Sequence, residues 1–162
     1  MLKLTTFAVA SLILCVLLSP HLAKGQTQDA RSEPDAARLM LENQAILEVT
    51  AARCKMRFPD SASAIDGWLG SWRAQQASLI ATAEIINAKG ADPSLSAVRR
   101  ERAEAQIAPV FGGKATPAEL QVFCEGLFAD DTQNSLRASQ PETVRYLTEA
   151  HARLVRNGEM PN

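Results

Sequence analysis

Aromatic side chains are scarce in this chain: one Tyr, two Trp and five Phe make 5% of 162 residues. Sheets draw on aromatic and β-branched residues, and no segment alternates apolar and polar residues over a useful length, so a β architecture is excluded at the outset. Histidine is rarer still, with His21 near the start and His151 near the end. There is no H-E-x-x-H, no G-x-S-x-G, no C-x-x-C and no C-x-x-C-H. Zincin, hydrolase-elbow, thioredoxin-like and haem-attachment chemistry therefore lack their parts. The stretch "FGGKAT", residues 111–116, fails as a phosphate loop. Ala108 stands where its first glycine belongs, and Ala115 follows Lys114 where a magnesium-binding Ser or Thr is needed. "EGLFADD", residues 125–131, lacks the spaced oxygen ligands of an EF-hand. No cofactor is expected.

Excess charge of either sign is also missing. Seventeen Lys and Arg face eighteen Asp and Glu, which gives no electrostatic reason to expect nucleic acid or an anionic membrane as partner. No N-x-Ser/Thr acceptor occurs, which favours a bacterial envelope over a eukaryotic secretory route.

What is present begins with "MLKLTTFAVASLILCVLLSPHLAKGQTQ". Lys3 is a short positive start, Phe7 to Leu18 an uncharged run that is apolar but for Ser11, and Ala23 and Gly25 the small residues before a cut. A membrane span needs about 20 apolar residues, so residues 1–25 read as a secretory signal peptide cleaved after Gly25. Residues 26–33, polar and aperiodic, read as a flexible leader, and 34–162 as a single helical domain without stable membrane insertion. The expected location is exported, periplasmic before secreted.

Apolar spacing of three and four predicts about five helices. The first runs from Pro34 to Phe58, with Leu39, Met40, Ile46, Leu47, Ala51 and Cys54 on one face and Pro59 ending it. The second is capped by Asp60 or Ser63. It carries Ile65, Trp68, Leu69, Trp72, Leu79, Ala83 and Ile86, with Gly67 and Gly70 suggesting a closely approaching helix. The third starts at Asp92-Pro93 and stops at Ala108 before Pro109. Its weak stripe of Leu95, Val98, Ala105 and Ile107 predicts a peripheral helix. "TPAE" (116–119) and "SQPE" (139–142) read as capping boxes opening helices four and five. Leu120, Phe123, Cys124, Leu127 and Phe128 face inward on the fourth. Val144, Leu147, His151 and Leu154 do so on the fifth, which Asn157-Gly158 closes. The fold class is all-α, a compact bundle of about five helices.

After export two cysteines remain, Cys54 and Cys124, in an oxidising compartment. Arg53, Lys55 and Arg57 around Cys54 could lower a thiol pKa. Yet two cysteines and one histidine are a thin set for zinc, and both cysteines sit on apolar helix faces. The expectation is a structural disulfide and no metal. His151 is expected at the core boundary with a hydrogen-bond partner. Trp68 and Trp72, one turn apart, are expected in the core, with the floor of a ligand pocket as the alternative. Arg99, Arg100 and Arg102 are candidate partner contacts on a solvated rim. The resulting functional expectation is an exported, non-enzymatic protein that binds a protein partner, as an inhibitor, immunity or adaptor protein does. The alternatives are a small-molecule binder with a cavity walled by Trp68, Trp72, Phe123 and Phe128, a periplasmic chaperone, or a hydrolase using Glu125, Asp130 and Asp131.

Overall fold

The computed structural model describes residues 29–90, 95–128 and 135–160. The proposed signal peptide, Asp92-Pro93 and Asp130-Asp131 lie outside the described residues. Among the described residues six helices run in chain order: α1 Glu33–Arg57, α2 Ala62–Gly90, α3 Leu95–Gly112, α4 Pro117–Leu127, α5 Ser135–Ser139 and α6 Pro141–Arg156. A 3-10 turn, Pro59–Ser61, joins α1 to α2. Among the described residues there is no strand, and no helix is long and apolar enough to cross a membrane.

Helix α1 is the centre of the bundle and touches α2, α3, α4 and α6. Its inward face explains this. Met40 and Cys54 are fully buried, and Leu39, Leu41, Val49 and Ala51 nearly so, while Ile46 and Leu47 are half-buried. Trp68, Leu69, Trp72 and Ala83 of α2 and Leu147 of α6 close the main core against it. Each such large side chain contributes about 1.5–3 kcal/mol by leaving water. A second, smaller cluster joins Val49 to Ala103 and Ile107 of α3.

The helix ends follow the sequence in some places and depart from it in others. Thr116 and Glu119 form the capping box: Thr116 Oγ1 accepts from Glu119 N at 3.3 Å, and Thr116 N donates to Glu119 Oε2 at 2.7 Å. Gly158, at φ +68°, closes α6 by donating its N–H to Val155 O. The box expected at Ser139 is not formed. Gln140 is the N-cap residue of α6 and its side chain makes no cap bond, because it accepts from Asn43 Nδ2 of α1 at 3.0 Å instead. Nor do Asp60 or Ser63 cap α2, since the 3-10 turn feeds straight into it. Pro109 lies inside α3, which continues to Gly112. Proline prevents one backbone bond but does not oblige a helix to end. The buried stripe of α3 is Ala103 and Ile107, one turn apart; Ala105 points to solvent.

Two further corrections concern packing. A Cβ at Gly67 or Gly70 would meet nothing within 4 Å, so no helix crosses closely there. The leader expected over 26–33 is held in place from Asp29 onward. Ala30 is 6% exposed and belongs to the main core, and Ser32 caps α1 by accepting from Asp35 N.

Candidate functional site

Cys54 and Cys124 are disulfide-bonded, with Cα atoms 5.7 Å apart. The bridge joins α1 to α4 and is almost fully shielded from solvent. Two of the three cations around Cys54 serve as ties between helices. Arg53 Nη2 pairs with Glu104 of α3 and Lys55 Nζ with Asp66 of α2, both at 2.6 Å. Arg57 is exposed, and with its sulfur in the disulfide Cys54 has no thiol to activate.

Trp68 and Trp72 are 7% and 3% exposed and are core residues. Trp68 meets Phe128 edge to face at 5.1 Å, and Phe123 meets Phe111 in the same way at 6.1 Å. Such pairs add roughly 0.5–1.5 kcal/mol beyond area burial. Trp68 and Trp72 belong to the main core, and Phe111, Phe123 and Phe128 pack against it. The Trp68 indole N–H is buried without a hydrogen-bond partner, a cost of about 1–3 kcal/mol that the packing of the ring offsets.

His151 is half-buried, and its Nδ1 lies 3.1 Å from Thr82 Oγ1. The Thr82 hydroxyl gives its single hydrogen to Ser78 O at 2.7 Å. With that hydrogen committed, the Thr82 oxygen is left to accept from His151 Nδ1–H. The pair ties α2 to α6 and brings no carboxylate to the imidazole. Glu125 is exposed and accepts from Gln121 one turn away. Among the described residues no group of three or more His, Cys, Asp or Glu could hold a metal ion.

The arginines separate. Arg102 reaches Glu42 of α1 at 3.8 Å. Arg99 and Arg100 line an open groove of about 470 Å³ between α1, α2 and α3. Its floor is Leu41, Ala45 and Val49, and its walls include Glu48, Glu84 and Ala97. Arg99 is half-buried and donates to Asn87 Oδ1 at 3.4 Å. Glu48 is engaged by Arg73 at 2.7 Å and by Gln44 at 3.0 Å. Among the described residues neither Arg100 nor Glu84 forms an ion pair, and both are exposed. The groove thus combines an apolar floor with the free charges of Arg100 and Glu84 on different helices, beside Arg99, whose partner is the neutral amide of Asn87. "RRER" pointed to Arg99 and Arg100; no sequence signal singled out Leu41, Ala45 or Val49, which lie outside the stripe predicted for α1.

A second trough of about 440 Å³ lies between α2, α5 and α6, lined by polar residues such as Gln76, Ser78, Arg137 and Thr148. Comparison with protein-family models, with curated proteins and with solved structures finds no match for this chain.

Proposed function

We propose that this chain is an exported, non-enzymatic helical protein, periplasmic in its mature form, that binds a protein partner through the groove between α1, α2 and α3. The observation that carries the reading is the groove's composition. An apolar floor beneath Arg100 and Glu84, neither of them paired, suits a segment that offers a small apolar side chain and a charge of each sign. Interfaces share this plan, with an apolar centre and a polar rim. The volume falls in the range of small-molecule sites, about 300–1,000 Å³, but those enclose most of their ligand's surface, and this trough is open. A buried disulfide and the mainly apolar run from Phe7 to Leu18 behind Lys3 support export.

The test places a photo-crosslinking residue at exposed Ala97 in the groove, and separately at exposed Ala138 on α5, in the mature oxidised protein mixed with envelope extract. A defined protein adduct at position 97 that is absent at 138, and lost in R100E, is the expected result. Equal adducts at both sites, or adducts indifferent to R100E, would remove the groove from consideration.

A further inference from the structure

The segment Asp29–Ser32 reaches across the molecule to the start of α6. Asp29 Oδ2 accepts from Glu142 N at 3.0 Å, and Oδ1 accepts from Thr143 N at 2.9 Å and Thr143 Oγ1 at 3.2 Å. One carboxylate thus satisfies two of the free amides at the first turn of α6, whose own N-cap residue leaves them unserved. Beside it, Arg31 O accepts from the Tyr146 hydroxyl at 3.2 Å, and Arg31 N donates to Asp35 Oδ2 at 3.1 Å. Ala30, between these ties, is buried in the core cluster that contains Met40 and Leu147.

We propose that residues 29–32 form an acid-released strap: protonation of Asp29, with Asp35 behind it, frees the segment from α6 and uncovers the seam between α1 and α6 while the disulfide-pinned helices stay folded. A protonated carboxyl gives up much of its strength as an acceptor, so the strap loses its main tie. The charged groups around it do not replace that tie. Glu142 is held by Arg145 at 2.5 Å, Glu33 by Arg153 at 2.6 Å, and Arg38 by Asp35 and Glu42. Arg31 is the strap's own cation. Hydrogen bonds, not ion pairs, thus hold the Asp29 charge. Burial works to raise its pKa, but the bonds from Glu142 N, Thr143 N, Ala30 N and Thr143 Oγ1 outweigh burial and keep it below the ordinary 3.8. Asp35 is lowered as well, by Arg38 first and the Arg31 amide second. A depressed carboxylate stabilises the folded form above its unfolded value and loses that effect as pH falls through the folded one. The strap is therefore fully docked above the ordinary aspartate range and released below it. The inference is independent of what the groove binds.

The experiment is amide hydrogen exchange on the mature oxidised protein at pH 6, 4, 3 and 2, read as protection factors. A second channel is the ring resonance of Tyr146, the chain's single tyrosine. The protection of Glu142 and Thr143 should fall about tenfold or more below the ordinary aspartate range, with a matching shift of the Tyr146 ring, while amides in the middle of α1 and α2 keep theirs. D29A, which removes both acceptor oxygens, should show the released values at every pH. Wild-type protection in D29A at pH 6 would overturn the proposal. So would loss of the α6 amides only together with those of α1 and α2. If D29A does not fold, the wild-type series decides alone.

Discussion

Replacing both Cys54 and Cys124 by alanine opens a loop of 70 residues. In the chain-entropy description the unfolded state then regains freedom worth about 4 kcal/mol at room temperature. The two buried sulfurs leave small voids, which add to the loss. Against a domain stability of about 5–15 kcal/mol, the variant should stay folded but near its limit. With a urea slope of about 1.5 kcal/mol/M, the unfolding midpoint should drop by about 3 M. Circular dichroism in urea, wild type against the double variant at pH 7, measures this directly. The structure adds a local expectation. Only Leu120 and Cys124 of α4 are buried, so α4 amides should lose protection before those of α1. A loss under about 1 kcal/mol at unchanged slope would refute the loop-closure reasoning. Full retention of α4 protection would show that Leu120 and its half-buried neighbours hold that helix without the bridge.

Two glycine substitutions should move stability in opposite directions. Gly67→Ala adds a methyl to open space in the exposed interior of α2 and should stabilise by about 0.5–1 kcal/mol. At Gly113 a Cβ would come within 2.5 Å of Pro109 O, a backbone atom, so Gly113→Ala should cost about 1–3 kcal/mol; thermal melts of both variants check the signs. Leu147→Ala empties a fully buried position and should cost about 2–5 kcal/mol in urea titration. Asp29→Ala removes the α6 cap and should cost about 0.5–2 kcal/mol at pH 7. That difference should vanish below the folded pKa of Asp29, where the wild type is protonated too.

Periodicity carried the helices because each buries one face. Met40, Cys54, Trp68, Trp72 and Leu147 sit at three- and four-residue spacings, and all of them are core. The disulfide was legible for the same reason, since two cysteines on apolar faces in an export context have little else to pair with. The local end signals worked where the chain supplies its own partner, as at Thr116 and Glu119. They failed where the partner is distant. The α6 box gave way because Gln140 binds Asn43, 97 residues away, and Asp29 caps the helix from 113 residues away. Nothing in "SQPE" registers either contact.

The candidate site was less legible than the fold, and for a physical reason. Core positions repeat along one helix, so a single stretch of sequence exposes them. The groove borrows Leu41 and Val49 from α1, Glu84 from α2 and Arg100 from α3, and no spacing within any one helix links them. Only Arg100 among them carried a sequence signal, as part of a solvated basic rim. What makes them a candidate site is that α1 packs against both α2 and α3, so that an apolar strip of its face lies beneath charges contributed by the other two. A site assembled this way responds to changes in helix placement as much as to changes in its own residues. Loosening the Arg53–Glu104 tie between α1 and α3 should therefore weaken capture at Ala97 even though neither residue lines the groove. R53A in the crosslinking experiment separates that effect from direct contact, because it leaves Arg100, Glu84 and the apolar floor chemically unchanged.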